Sequence, residues 1–130
     1  MVKLFLTTGS LFALLAVAAG AFGAHGLENR LDQNHLEYFK TAAQYQMYHA
    51  LALLAVAWVG AYRHSRKAAA AGSCFIAGIF IFAGTLYALA LGGPKWLGAI
   101  TPIGGVLFMV GWLLLLIAAM TLDIAKGRTG

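Results

Sequence analysis

Four long uncharged stretches, Leu4–Ala24, Thr41–Tyr62, Ala68–Leu91 and Trp96–Leu122, divide the chain, and charged residues stand only between and outside them. A helix crossing about 30 Å of hydrocarbon at 1.5 Å per residue needs roughly 20 apolar residues, so each stretch has the length of a span. The pattern predicts an all-α fold, an integral membrane four-helix bundle, in a single transmembrane domain over residues 1–130. The first stretch has a second reading as a secretory signal, because Lys3 precedes an apolar region that ends in Ala19-Gly20-Ala21. That region continues through Phe22-Gly23, longer than the roughly 7–15 residues of a signal, and so favours a span.

One segment breaks the uniform apolarity. Between Leu27 and Lys40 polar and apolar residues alternate, Asn34 and Glu37 resemble a capping box, and Leu31, Tyr38 and Phe39 recur at near-helical spacing. A short amphipathic helix at the interface is expected here, leading into the second span, with a solvated loop as the alternative. Orientation follows from Lys and Arg in the short connections. Lys3, Arg63, Arg66, Lys67, Lys126 and Arg128 share one side of a four-span layout, and Arg30, Lys40 and Lys95 the other. Both termini are therefore expected in the cytoplasm, with the longest loop outside.

Composition sharpens this picture. Hydrophobic residues make up 62% of the 130 and charged residues 10%, with a mean hydropathy of +0.82. Too little polar surface is left for a water-soluble enzyme, since ordinary globular chains carry about 25% charged residues. The net charge of +5 would suit nucleic acid, but the basic residues punctuate spans and build no basic face. No nucleic-acid partner is expected. The cluster Arg63, Arg66 and Lys67 is better placed for anionic lipid headgroups at the bilayer surface. The single cysteine, Cys74, excludes an internal disulfide.

In lipid, helices associate by close packing of small residues, because the tails are as apolar as leucine. Three candidate faces carry them: Ala16, Gly20 and Ala24 in the first span, Gly84, Ala88 and Gly92 in the third, and Gly104, Gly111 and Ala118 in the fourth. Pro102 reads as a first-turn proline with Thr101 as its cap, and Gly104-Gly105 as bare backbone open to a helix or a ligand. Such faces also leave room for a homo-oligomer or a membrane-protein partner.

Polar residues inside a span are costly, and here they concentrate at one end of the second: Gln44, Tyr45, Gln46, Tyr48 and His49. His25 is a candidate neighbour, and the third span adds Thr85 and Tyr87. A metal or haem held by His25 and His49 meets a geometric objection: by helical rise they stand about 12 Å apart along the membrane normal. Neither a metal nor a cofactor is expected. No acid lies within a span, and Ser73 and Cys74 have no base near them in sequence, so no catalytic constellation is seen. Two readings stay open: hydrogen bonds that fix the register of the bundle, or a ligand-binding pocket formed by His25, Tyr45, Gln46, Tyr48, His49 and Thr101.

Three stretches carry a resemblance: Gly20-Ala21-Phe22-Gly23-Ala24-His25-Gly26-Leu27, Tyr45-Gln46-Met47-Tyr48-His49-Ala50-Leu51, and Leu97 through Gly105 with its Thr-Pro-Ile-Gly-Gly run. The chain resembles the domain of unknown function 423 family, small bacterial inner-membrane proteins similar to animal transmembrane protein 256. The resemblance implies a four-helix protein of the cytoplasmic membrane, with a part in membrane integrity and no settled biochemical activity. It places His25, Tyr45, Gln46, Tyr48, His49, Thr101, Pro102, Gly104 and Gly105 in family motifs without giving them roles. The function expected is a non-enzymatic structural or interaction protein, with a binding or transport module for a small solute or lipid as the alternative.

Overall fold

The computed structural model describes residues 1–123, all of them in helices, turns or coil with no strand among them. Lys126 and Arg128, assigned above to the cytoplasmic side, lie outside the described residues. Four helices follow one another: α1 Val2–His25, α2 Gln33–Tyr62, α3 Arg66–Ala90 and α4 Leu97–Met120. Three of them, α1, α3 and α4, are long and apolar enough to cross a membrane. α2 is the longest at 30 residues but carries the polar cluster in its middle, which lowers its apolarity below theirs.

α2 and α3 form the inner pair, with α1 laid along α2 and α4 along α3. The largest fully buried side chains, Leu53, Val56 and Phe75, all come from that pair. α1 and α4 turn long apolar faces outward, among them Leu11, Leu14, Val17, Leu113 and Leu116. In a membrane protein such leucines need no burial, because lipid is their solvent.

The expected helix within residues 27–40 is not a separate element. Leu27–Leu31 form turns, and α2 begins at Gln33, so the polar stretch is the first two turns of one long helix. The cap is Asp32, whose Oδ1 accepts the His35 N–H at 2.8 Å, and not Asn34. Leu36 and Phe39 then bury against Leu27 and Ala90, fastening this end of the bundle.

α3 contains one π-helical turn, Ile79–Ala83, where an extra residue is accommodated in the helix. The Thr85 hydroxyl donates to Ile81 O at 2.6 Å just beyond it, supplementing the backbone pairing there. The helix ends in a Schellman arrangement: Gly92 takes φ 92°, its N–H reaches Leu89 O at 3.2 Å, and the Gly93 N–H reaches Ala88 O at 2.7 Å. Gly92 is thus a terminator, and Gly84 has open space where a Cβ would stand, so the predicted Gly84–Ala88–Gly92 face is no helix contact.

Small residues do set the other two seams. Gly104, Gly111 and Ala118 are all buried against α3, as their seven-residue spacing predicts. A Cβ on Gly104 would stand 2.5 Å from Phe82 N, so the α4 backbone crosses directly over the π-helical turn. On α1 the working stripe is Gly9, Ala16 and Gly23, again seven apart, while Gly20 faces open space. Pro102 also departs from expectation: α4 starts a turn earlier, at Leu97 with Trp96 at the cap position, so the proline sits in the second turn. Thr101 is therefore no cap.

Candidate functional site: the polar cluster of α2

Gln46 and His49 lie three residues apart on one helix and are the buried polar residues of the described chain, 5% and 4% exposed. Gln46 joins three helices. Its Nε2 donates to Phe12 O of α1 at 2.9 Å, and its Oε1 accepts from the Tyr87 hydroxyl of α3 at 2.8 Å. One amide thus satisfies the tyrosine and itself while holding α1 and α3, whose Phe12 and Phe80 rings meet at 5.6 Å, to the same flank of α2.

His49 is held differently. Its Nδ1 lies 2.6 Å from Tyr45 O, one turn back on α2, and its Nε2 lies 3.1 Å from Trp112 Nε1 of α4. A carbonyl only accepts and an indole N–H only donates, so these partners fix the neutral ring with its proton on Nδ1. The ring stacks on Phe108 with centroids 3.5 Å apart and planes 6° apart. Both nitrogens and one face are occupied, so His49 offers a metal no lone pair without breaking the Trp112 bond.

With the Thr85 proton given to Ile81 O, the Thr101 hydroxyl donates to Thr85 across the α3–α4 seam, Oγ1 to Oγ1 at 2.6 Å. Tyr45 is half-exposed, its ring 4.8 Å from that of Phe82. Gln44 donates to the Tyr48 hydroxyl on the exposed face of α2. His25 is not brought in: it ends α1 on the exposed side and takes no part in the bonds and ring contacts of His49. Among the described residues no buried side-chain nitrogen or oxygen lacks a hydrogen-bond partner, and no group of three or more His, Cys, Asp or Glu could hold a metal.

A groove of about 610 Å³ runs beside the cluster between α2 and α4, lined by Tyr48, Leu51, Ala55, Gly105, Met109 and Trp112 among others. Its walls are almost wholly apolar, although Tyr45, Tyr48 and His49 of the pocket suggested by sequence line it; Gln46 and Thr101 bond across helix seams instead, and His25 lies outside. Sequence reasoning found Gln46, His49, Thr85 and Tyr87 but missed Trp112, Phe108 and the Phe12 carbonyl. A tryptophan in mid-span is a signal for the first; a backbone acceptor carries none.

The basic corner is also partly engaged. Arg63 donates from a guanidinium nitrogen to Thr121 O at 3.2 Å, where its charge meets the negative end of α4. Ser65 caps α3 by accepting the Ala68 N–H at 3.2 Å, and Arg66 and Lys67 stay exposed.

Long apolar helices, outward-facing leucines and polar side chains spent on one another define a helical membrane protein. The profile described as "Protein of unknown function (DUF423)" matches residues 19–105, and the chain belongs to that family. Among its relatives, UPF0382 membrane protein SSP2132 of Staphylococcus saprophyticus is 50% identical over 115 residues, covering 88% of this chain and 95% of that protein. UPF0382 membrane protein SAB0533 of Staphylococcus aureus is 48% identical over 116 residues, covering 89% and 94%. UPF0382 membrane protein YwdK of Bacillus subtilis is 44% identical over 119 residues, covering 91% and 97%. No solved structure matches the chain.

Proposed function

We propose that this chain is a non-enzymatic structural protein of the bacterial cytoplasmic membrane, a four-span bundle with both termini in the cytoplasm and α2 as its organising helix. One observation carries the reading: the buried polar groups that could do chemistry are engaged within the bundle, Gln46 with both ends of its amide on other helices and His49 with Nε2 on Trp112 of α4 and Nδ1 on Tyr45 O of its own helix. Hydrogen bonds between spans contribute only about 0.6 kcal/mol each. They are directional, however, and therefore specify register where apolar packing alone does not. Arg66 and Lys67 meet anionic headgroups on the cytoplasmic surface, and the outer faces of α1 and α4 are free for lipid, a second copy or a membrane partner.

The reading turns on His49. As a register bond, His49→Gln keeps most of the thermal stability, since an amide still donates and accepts, while His49→Leu loses it. Equal collapse of both variants, with metal or haem absorbance in the purified wild type, would replace this reading by a ligand site. Orientation is tested separately: a cysteine placed at Asn34 is labelled from outside intact cells and one at Ser65 is spared. The opposite labelling pattern inverts the topology.

A further inference from the structure

We propose that the groove between α2 and α4 is a binding site for one anionic diacyl phospholipid, seated by a ladder of polar residues on the same face of α2; this rests on the membrane-spanning reading above. Lys40, Gln44 and Tyr48 are spaced four apart, so their side chains stack on one face at successive rises of about 6 Å. All three are exposed. Among the described residues the Lys40 side chain has no ion-pair or hydrogen-bond partner, although Glu37 lies three residues before it. Below Tyr48 the same face opens on the apolar groove at Leu51, Ala52 and Ala55, with Gly105 and Met109 as the far wall.

The depths fit a lipid. With Arg63 at one edge of about 30 Å of hydrocarbon, helical rise puts Gln44 near the other edge and Lys40 about 5 Å beyond it, among headgroups. From Gln44 to Ala55 is about 16 Å, the thickness of one leaflet's hydrocarbon. A phosphate thus falls beside the unpaired ammonium of Lys40, ester carbonyls beside the Gln44 amide and Tyr48 hydroxyl, and one acyl chain in the groove. The groove gives the chain no hydrophobic gain over bulk lipid, because both are apolar. Selectivity therefore comes from the ladder and occupancy from the shape of the groove.

Gly105 makes this testable without disturbing the fold. A Cβ there would meet only the Phe82 ring at 3.9 Å, so a larger side chain extends into the groove and not into a helix seam. The purified protein in mild detergent is offered equal amounts of phosphatidylglycerol and phosphatidylcholine, and retained lipid is counted by native mass spectrometry beside a melting curve. The wild type retains one phosphatidylglycerol in preference. Gly105→Leu lowers retention of both lipids severalfold at unchanged melting temperature, and Lys40→Gln reduces the preference for phosphatidylglycerol about fivefold. Retention by Gly105→Leu equal to wild type, no headgroup preference, or a wild-type dimer that this variant dissociates would each overturn the lipid site. A chain that does not partition with membranes would overturn the spanning reading instead.

Discussion

The two flanks of α2 solve the same problem by different means. Toward α1 and α3 the link is Gln46, whose amide reaches partners 34 residues before it and 41 after it. Toward α4 it is His49, which reaches Trp112, 63 residues later, and adds a stack on Phe108. The glycines follow suit. On the α4 seam they admit rings, with the Phe75 ring 2.6 Å from where a Gly111 Cβ would stand and the Phe108 ring 2.5 Å from that of Gly78. On the α1 seam, Gly9 admits the Ala50 carbonyl oxygen at 2.9 Å and the tip of Leu54 at 3.0 Å, while Gly23 admits the Phe39 ring at 2.9 Å. Aromatic rings pack in both seams, and what differs is the lock: on the α4 side one imidazole with a bond and a stack, on the α1 side one amide with two bonds.

Within those seams, what a Cβ would meet ranks the glycines. Gly104→Ala drives a methyl into the Phe82 backbone, which has no side-chain freedom to yield, so it destabilises by about 1–3 kcal/mol. Gly9→Ala costs less, because Leu54 can swing aside and the Ala50 oxygen is less tightly approached. Gly84→Ala, on open space, stabilises by about 0.5–1 kcal/mol through helix propensity alone. Melting temperatures of the three in one detergent check the order; a Gly84→Ala loss as large as that of Gly104→Ala would show that the Gly84 face is covered by something outside this chain.

The locks should differ in how they fail. Gln46→Leu removes both bonds and leaves the half-buried Tyr87 hydroxyl without its acceptor, a loss of about 1–2 kcal/mol. The second replacement Tyr87→Phe, made on top of it, should return part of that loss by removing the stranded hydroxyl. A double-mutant cycle in thermal melting reads the coupling, and additive losses would mean that the hydrogen bond between Gln46 and Tyr87 contributes nothing.

How far the sequence spoke depended on whether a signal belonged to one residue's own helix. The seven-residue spacing of Gly104, Gly111 and Ala118 maps to one face whatever lies opposite, and the structure buries all three. Ala16 belongs to two stripes, Ala16–Gly20–Ala24 and Gly9–Ala16–Gly23, and only the position of α2 decides between them. Gln46, His49 and Tyr87 stand out because polar groups in apolar spans require partners, yet the partners themselves are a backbone carbonyl and an indole. His25 misled because it closes α1 beside a glycine, where the chain turns and leaves the ring outside. The π-helical turn shows no period, so nothing in the sequence predicts that Gly104 meets Phe82. Thr101-Pro102 looked like a helix start because both residues favour one; the helix instead begins at Leu97, whose N–H bonds to Pro94 O at 3.1 Å.

The smallest effect belongs to the start of α2, where two polar residues competed for the cap. Asp32 accepts from the His35 backbone N–H at 2.8 Å and from its ring Nδ1 at 2.7 Å. The backbone bond is the larger cause, and together they hold the carboxyl below its ordinary value of 3.8. An acid whose pKa is lower folded than unfolded stabilises the charged form, so its contribution is fully present above pH 3.8 and fades as pH falls through the lower folded value. The group is exposed, so the effect stays local to the first turn. Amide exchange at His35 should therefore accelerate below that pH in the wild type while exchange at Ala50 does not change. Asp32→Asn, which keeps a capping oxygen without the titration, should remove the pH dependence and keep most of the protection. If Asn34 were the working cap after all, Asn34→Ala would expose the first turn and Asp32→Ala would not.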